Sequence, residues 1–180
     1  MFFFSQINDF SDYGNDKNIE KSLSPVKKWQ YGQNATVFLS HKHSELNLVN
    51  YLIGFFEKKY DVSVYIDSND DSMPLFTSGE TAARIKRKIR NCKKFIFLAT
   101  EESVRSCWCN WEIGLGDARK YRKDFAIFPI HTKNDNYTGN EFLQIYPYII
   151  PPKGAGYDGD YRVVYPQMGT ETPLREWFNV

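Results

Sequence analysis

The chain has little cysteine and no long hydrophobic run, and each shortage excludes a class of protein. Its three cysteines are an odd number and include the close pair Cys107 and Cys109, unlike the even, spread cysteines of a secreted disulfide scaffold. No window approaches the roughly 18 to 20 apolar residues that a membrane-spanning helix requires. The N-terminus turns polar at Ser5 and lacks the regions of a signal peptide. We therefore expect a soluble, cytoplasmic protein.

An excess of one charge sign is also lacking. Lys and Arg total 23 and Asp and Glu total 22, a formal net charge of +1, so composition gives no reason to expect binding to nucleic acid or to an anionic membrane. The second predicted helix and its exit do carry a basic cluster, which we interpret as a solvated face or as a site for a pyrophosphate or an acidic partner. Nucleic acid is the weakest alternative, because no aromatic residues are interleaved with the basic ones. The cluster comprises Arg84, Lys86, Arg87, Lys88, Arg90, Lys93 and Lys94.

The usual phosphate-binding and nucleophile motifs are missing. No Gly-x-Gly-x-x-Gly follows the first predicted strand and no Gly-x-x-x-x-Gly-Lys-Ser/Thr occurs, which disfavours a dehydrogenase or a P-loop nucleotidase. Gly114 and Gly116 are interpreted instead as close-packing positions in a helix. A Gly-x-Ser-x-Gly elbow is absent too, which disfavours a serine hydrolase.

Metal-binding patterns are weak. His41 and His43 form a His-x-His pair and His131 follows another predicted strand, but the cysteine or carboxylate partners that zinc spacing requires are not nearby. Cys107 and Cys109 are too close together for the usual zinc knuckle. We expect these side chains to be polar loop groups and packing groups, and we expect no metal.

What the chain does have is an alternation of short apolar runs with amphipathic segments. Apolar, β-branched runs predict buried strands, and apolar residues spaced by three and four predict helices. The alternation predicts an α/β fold, with a mostly parallel five-stranded sheet and helices on both faces. Ser44 and Ser78 are the expected N-caps of the first two helices. The predicted strands are 35–39, 62–66, 95–99, 125–130 and 161–165, and the helices are 46–56, 78–89, 108–121, 141–145 and 174–178.

The chain is expected to form one domain, from residue 35 to residue 180, because its length suits a single hydrophobic core. Residues 1 to 34 precede this domain, and from residue 5 onward they are rich in Asn, Asp, Ser, Lys and Gly and show little periodicity. We interpret them as an N-terminal extension.

In a sheet of this kind, ligands bind at the carboxyl ends of the strands near the reversal of strand order. Glu112 lies early in the helix that follows the third strand, and Trp108 lies four residues before it on the same helix face. A carboxylate beside an indole can hold a sugar hydroxyl while the indole packs on a flat ring. Alternatively, the negative charge of Glu112 interacts favourably with the dipole at the N-terminus of its helix, and the tryptophans pack in the core. Spacing alone favours this second interpretation.

Short motifs in a specific order then suggest a family. The runs are Val37-Phe38-Leu39-Ser40-His41, Val64-Tyr65-Ile66-Asp67, Ile85 to Ile89 with Asn91-Cys92, Ala99-Thr100, Ser106-Cys107-Trp108-Cys109 and Trp111-Glu112-Ile113-Gly114. Together they cover about residues 35 to 165 and resemble the Toll/interleukin-1 receptor (TIR) domain family, in particular stand-alone bacterial TIR proteins of Thoeris-type antiphage defence.

The resemblance implies a flavodoxin-like TIR fold and an enzymatic site. Enzymatic members of the family cleave NAD at the nicotinamide glycosidic bond with a glutamate at the position of Glu112, in an SxxxxxE-like run that begins here at Ser106. Trp108 would line the pocket, and Asp67 to Ser78 would be the BB loop, which serves assembly and active-site closure. From their expected positions we add further substrate-binding candidates: Ser40, His41, Asp67, Ser72 and Met73, with Lys42 and Arg84 near the pyrophosphate.

The activity implied is release of nicotinamide from NAD, with formation of a cyclic ADP-ribose isomer, or of ADP-ribose if water reacts. The product would be an immune signal that activates a separate effector. NAD would be a substrate, no cofactor is expected, and self-association is expected on activation. The alternative is a non-catalytic TIR adaptor that acts by homotypic assembly. A third possibility is a nucleoside-modifying enzyme on a similar sheet.

Overall fold

The computed structural model describes residues 5–13, 36–69, 78–120, 123–131, 141–152 and 159–179. Within these ranges eight strands form one sheet and four α-helices accompany it. The strands are β1 (Ser5–Gln6), β2 (Thr36–Ser40), β3 (Ser63–Tyr65), β4 (Lys94–Ala99), β5 (Phe125–His131), β6 (Tyr148–Ile150), β7 (Arg162–Tyr165) and β8 (Thr170–Pro173). The helices are α1 (Leu46–Tyr60), α2 (Gly79–Asn91), α3 (Cys107–Lys120) and α4 (Leu174–Asn179). Short 3-10 segments span Ile7–Tyr13, His43–Glu45, Asp67–Asn69, Ser103–Arg105 and Glu141–Ile145.

Five neighbouring strands run parallel in the order β3-β2-β4-β5-β6. Because β2 lies between β3 and β4, the chain first adds a strand on one side of β2 and then adds the others on the opposite side. This is the flavodoxin-like strand order, and it confirms the predicted mostly parallel α/β fold. The order reverses between β2 and β4, where Ser40 is paired in register with Phe97.

The end of the sheet differs from the prediction. The fifth parallel strand is β6, a three-residue stretch for which no strand is predicted from the sequence. The predicted last strand does form, as β7, but it runs antiparallel to β6 and continues into a hairpin with β8. The described sheet therefore has more strands than the five predicted.

Both faces of the central strands are buried, which explains their continuous apolar sequences. On β4, Ile96 and Leu98 enter the core that contains the apolar sides of α1 and α4. Phe95 and Phe97 enter the core that contains those of α2 and α3. The prediction of helices on both faces is confirmed.

The starts of the first two helices differ in their caps. Ser78 caps α2 as predicted, since its hydroxyl accepts the Thr81 N–H at 3.3 Å and the Thr81 hydroxyl accepts the Ser78 N–H at 3.2 Å. The prediction for Ser44 is wrong, because Ser44 lies within a 3-10 turn and α1 begins after it at Leu46. No helix in the described ranges is long and apolar enough to cross a membrane.

Residues 5–13 of the predicted extension pack on the domain. β1 pairs in parallel with the end of β5, Ser5 opposite Ile130. Phe10 is fully buried, and its ring lies 5.1 Å from that of Phe55 on α1. Residues 14–35 lie outside the described ranges, so a boundary at residues 34 and 35 stays a prediction.

The two glycines of α3 have different surroundings. A Cβ on Gly116 would lie 3.0 Å from ring carbons of both Phe95 and Phe125, so α3 approaches the sheet closely at this position. A Cβ on Gly114 would meet nothing within 4 Å. The prediction of a close-packing position is therefore confirmed for Gly116. It is wrong for Gly114, whose position faces open space.

Candidate active site

A serine and a glutamate meet where the strand order reverses. Ser40 is the last residue of β2, and Glu112 lies in the second turn of α3. Ser40 is fully buried and Glu112 is only 2% exposed. The Ser40 hydroxyl donates a hydrogen bond to Glu112 Oε2 at 2.5 Å. A carboxyl group is thereby held at the edge of the sheet where ligands of such folds bind.

The surroundings of Glu112 favour its neutral form. Burial is the main cause that raises the pKa of Glu112 to about 8, and the nearby charge of Asp67 raises it further. Hydrogen bonds from the side chains of Ser40 and Trp108 act in the opposite direction. Both forms of the carboxyl group are therefore accessible near neutral pH.

Trp108 lies beside Glu112, one helical turn earlier on α3. Its only hydrogen-bond donor is the indole N–H, and the hydrogen bond to Glu112 stabilises the carboxylate form. The Trp108 ring is half-buried, and its centroid lies 5.0 Å from that of Trp111, which is exposed. The two rings form an aromatic surface next to the carboxyl group.

His41 and Asp67 also come to this edge. His41 is 5% exposed, and its Nδ1 lies 3.2 Å from the Leu39 carbonyl oxygen and 3.9 Å from Asp67 Oδ1. Burial lowers the pKa of His41, against the opposite effect of Asp67. The Cys109 thiol of α3 donates to the His41 carbonyl oxygen at 3.3 Å. Strand β2, the start of the 3-10 segment after β3 and helix α3 are thus joined around His41.

Ser68 is a part of the site that sequence reasoning missed. Its Oγ lies 3.0 Å from His41 Nε2 and 3.0 Å from His43 Nδ1. A signal for it exists, because β2 and β3 are parallel neighbours with Phe38 opposite Tyr65. Extending this register by three residues places Ser68 opposite His41.

Other predicted site residues have different surroundings. Ser106 precedes α3, and its hydroxyl accepts the Cys109 N–H at 3.3 Å, which is the contact of a helix cap. Arg84 lies on α2 in an ion pair with Glu80, with a closest N–O distance of 2.6 Å. Lys42 is half-buried in the loop after β2. Ser72 and Met73 lie outside the described residues.

One residue of the predicted basic cluster, Lys94, does not lie on the surface with the others. Lys94 is in β4 and is 1% exposed, and its Nζ lies 2.6 Å from Asp124 Oδ1 and 4.7 Å from the centroid of the Trp177 ring. It is therefore a buried structural cation. On α2 itself, Lys86, Arg87 and Arg90 are exposed.

The histidines and cysteines do not gather into a metal site in the described part of the chain. His131 pairs with Glu101 at 3.4 Å and does not join His41 and His43, which contact Ser68. Among the described residues no group of three His, Cys, Asp or Glu side chains is arranged to hold a metal ion. Burial raises the pKa of the Cys109 thiol to about 11, so it is a packing group.

The fold is a flavodoxin-like α/β domain, and the buried Ser40–Glu112 pair at its strand reversal is a candidate ligand site with a carboxyl group. Residues 37–149 match the family model described as the TIR domain. The match begins in β2 and ends in β6, so it contains all five parallel strands. The chain belongs to the TIR domain family.

Two curated protein sequences are similar to the chain. The "Probable 3' cyclic ADP-D-ribose synthase ThsB'" of Bacillus cereus (strain MSX-D12) is 32% identical over 148 residues, 78% of this chain and 72% of that protein. The "Putative cyclic ADP-D-ribose synthase TIR2" of Cytobacillus dafuensis is 30% identical over 80 residues, 43% of this chain and 21% of that protein. Among solved structures, a 2-deoxyribosyltransferase of Bacillus psychrosaccharolyticus matches 69% of this chain and 93% of its own at 12% identity, with a TM-score of 0.45.

Proposed function

We propose that this protein is an enzyme that cleaves NAD at the bond between nicotinamide and ribose, with Glu112 as the catalytic residue. The observation that carries this proposal is a buried carboxyl group, held by Ser40 at 2.5 Å, where the strand order reverses. Membership in the TIR family supports it, as do the names of the two relatives as cyclic ADP-D-ribose synthases.

Glu112 would act on the cation that forms during bond cleavage. When the C1′–N bond breaks, its electron pair goes to the nicotinamide nitrogen, and the positively charged ring leaves as neutral nicotinamide. The ribose carbon C1′ becomes an oxocarbenium-like cation. A carboxylate beside it would stabilise that cation, and the burial of Glu112 would strengthen this attraction. Since the leaving group departs neutral, no general acid is required.

Neighbouring residues would prepare Glu112 for this role. The active form is the carboxylate, and the hydrogen bonds from Ser40 and Trp108 favour it. With a pKa of about 8 for Glu112, the fraction in this form increases as the pH rises from 6 to 8. The Trp108 ring would pack on the nicotinamide or the ribose.

The product depends on the group that reaches the C1′ cation. An adenine nitrogen or a ribose hydroxyl of the same molecule gives a cyclic ADP-ribose isomer, with loss of one proton, whereas water gives linear ADP-ribose and a proton. The names of both relatives support cyclisation. We further propose that the product acts in the cytoplasm as a signal in antiphage defence that activates a separate effector.

The alternative function is a non-catalytic TIR adaptor that works through homotypic assembly. The observation that favours it is the exposed basic surface of α2, with Lys86, Arg87 and Arg90, because such a surface fits an acidic partner domain. Self-association is also compatible with the enzymatic function, in which assembly would precede activity.

The test is incubation of the purified full-length protein with NAD, with products resolved by chromatography and mass detection. We compare wild type with Glu112→Gln, and with Glu102→Gln as the control, since Glu102 is exposed. Circular dichroism checks that each variant is folded. Nicotinamide release by wild type and Glu102→Gln, but not by Glu112→Gln, is expected. A cyclic product lacks the added water of ADP-ribose, so its mass separates the two outcomes.

No release of nicotinamide, either in dilute solution or with a crowding agent that promotes assembly, would favour the adaptor. Nicotinamide release that persists in Glu112→Gln would show that another residue carries the chemistry. In cells, an adaptor should keep its function when Glu112 is replaced by Gln, whereas an NAD-cleaving signal enzyme should lose it.

A further inference from the structure

The hydroxyl group of Ser68 lies between two imidazole rings. Its Oγ is 3.0 Å from Nε2 of His41 and 3.0 Å from Nδ1 of His43. The two histidines belong to the loop after β2, and Ser68 belongs to the 3-10 segment Asp67–Asn69 after β3. The three side chains therefore join the carboxyl ends of two neighbouring strands.

The donor and acceptor of each hydrogen bond follow from one fixed group, the backbone carbonyl of Leu39. A carbonyl oxygen only accepts, so His41 Nδ1 at 3.2 Å must carry the hydrogen. In neutral His41 the other nitrogen, Nε2, then accepts, and the Ser68 hydroxyl donates to it. Ser68 Oγ in turn accepts from His43 Nδ1–H. The two hydrogen bonds therefore point in one direction, with His43 donating to Ser68 and Ser68 donating to His41.

This order requires a neutral His41. A second proton on His41 would turn Nε2 into a donor, and the Ser68 hydrogen would lose its acceptor. Burial lowers the pKa of His41 and so favours the neutral ring. Among the described residues, the charged or titratable groups near His41 are Asp67 at 3.9 Å, His43 across Ser68, the adjacent Lys42, and Cys109 and Glu112 of α3. Among them Asp67 favours the protonated ring and His43 disfavours it.

The same contacts fix Asp67 relative to Glu112. Asp67 directly precedes Ser68, and its charge is the second cause of the raised pKa of Glu112. His41 directly follows Ser40, which donates to Glu112 at 2.5 Å. If the Ser68 contacts were lost, Asp67 would no longer be held beside the Glu112 carboxyl group. The side chains that contact Glu112 would all remain.

We propose that Ser68 is a positioning residue of the active site, which holds Asp67 and the end of β2 around Glu112 by joining His41 to His43. This role rests on the proposed function, because the site it shapes is the one that would bind the nicotinamide ribose of NAD. Ser68 acts through these neighbours and need not touch the substrate.

The hydrogen-bond order is tested first, without substrate. The chain has three histidines, so ¹⁵N-histidine NMR resolves every imidazole, and single His→Gln variants assign the signals. At pH 7 we expect a neutral His41 with its hydrogen on Nδ1, and a hydrogen on Nδ1 of His43 that is donated to Ser68. Ser68→Ala should change the signals of both rings and leave His131 unchanged. The proposed contacts would be overturned if wild-type His41 carried its hydrogen on Nε2, or if Ser68→Ala left the signals of His41 and His43 unchanged.

The effect on the site is tested by kinetics with NAD. Ser68→Ala should raise KM about tenfold with a smaller change in kcat, since two hydrogen bonds of moderate net strength are lost. The acid limb of the pH–kcat/KM profile should move to lower pH, because Asp67 no longer raises the pKa of Glu112 as strongly. Ser68→Thr keeps the hydroxyl and should restore both values. Calorimetric binding of NAD to Glu112→Gln, with and without Ser68→Ala, should show the same loss of affinity.

These outcomes separate the two proposals. If wild type binds and cleaves NAD but Ser68→Ala leaves KM and the pH profile unchanged, the positioning role is wrong and the proposed function stands. If Ser68→Thr is impaired as severely as Ser68→Ala, the hydroxyl is not the active feature, and the role is again wrong. If wild type neither binds nor cleaves NAD, the proposed function fails first, and the role in an NAD site fails with it.

Discussion

Replacement of Glu112 by glutamine should stabilise the protein, and the gain should grow with pH. The unfolded chain releases the Glu112 proton near the ordinary pKa of 4.5, whereas the folded protein releases it near pH 8. Between these values the folded state binds more protons than the unfolded state. The free energy of unfolding therefore falls as the pH rises through this interval. A glutamine at position 112 has no proton to release, so it causes no such fall in the free energy of unfolding.

The size of the effect follows from the separation of the two pKa values. One pKa unit corresponds to about 1.4 kcal/mol, so the raised value of about 8 corresponds to a loss of about 3 kcal/mol at pH 7. Well above pH 8 the loss approaches a limit of about 5 kcal/mol, because both states are then ionised. At pH 5 it is about 1 kcal/mol, since the unfolded chain is only partly ionised there.

Urea unfolding of wild type and Glu112→Gln at pH 5, 6, 7 and 8 measures this effect. The two proteins share every other titratable group, so the difference between their unfolding free energies isolates Glu112. We expect the advantage of the variant to increase by about 3 to 4 kcal/mol from pH 5 to pH 8. Glu102→Gln serves as the control for removal of an exposed carboxylate. A difference that is flat with pH, or that shrinks toward pH 8, would refute the reasoning about burial.

Three further changes test packing and the site. Gly116→Ala should lower the unfolding free energy by about 1–3 kcal/mol, because its Cβ would press on two phenylalanine rings, whereas Gly114→Ala should raise it by up to about 1 kcal/mol in chemical denaturation. Gly54→Ala should reduce the melting temperature, since its Cβ would lie 2.6 Å from a backbone carbonyl oxygen of the N-terminal segment. Ser40→Ala should raise the pKa of Glu112 and move the acid limb of the pH–rate profile to higher pH, and an unchanged limb would contradict the role given to this hydrogen bond.

The central part of the fold could be predicted because local patterns determine it. From β2 to α3, the strands consist mainly of apolar residues and each helix has one apolar side, so the type and order of these elements follow from the sequence. The N-cap at Ser78 was predicted for the same reason, since a capping serine acts within one turn. Ser44 shows the limit of this reasoning, because a 3-10 turn comes between the serine and the helix.

The outer strands depend on pairing between distant residues, and this pairing leaves little local signal. β6 has only three residues, and β1 has two, which pair with Ile130 and His131 of β5. Phe10 looks like an isolated aromatic residue in a polar segment, yet it is fully buried. Its burial is determined by α1 and β5, which lie far from it in sequence.

The candidate site divides in the same way. Glu112 and Trp108 could be predicted as neighbours because they are four residues apart on one helix. Ser68 could not be identified from composition, since a serine after an aspartate is an ordinary loop residue. Its partners become apparent only when β2 and β3 are known to be parallel neighbours with Phe38 opposite Tyr65.

The balance of forces on Glu112 also suits the charge of the proposed substrate. Burial and the charge of Asp67 raise the pKa of Glu112 and so favour its neutral form in the empty site. The hydrogen bonds from Ser40 and Trp108 are already in place to stabilise the carboxylate when it forms. The nicotinamide ring of NAD is positively charged, and a positive charge near a carboxyl group lowers its pKa. Substrate binding would therefore generate the carboxylate where C1′ becomes cationic. The unpaired buried charge, which destabilises the fold, would be present mainly when NAD compensates it.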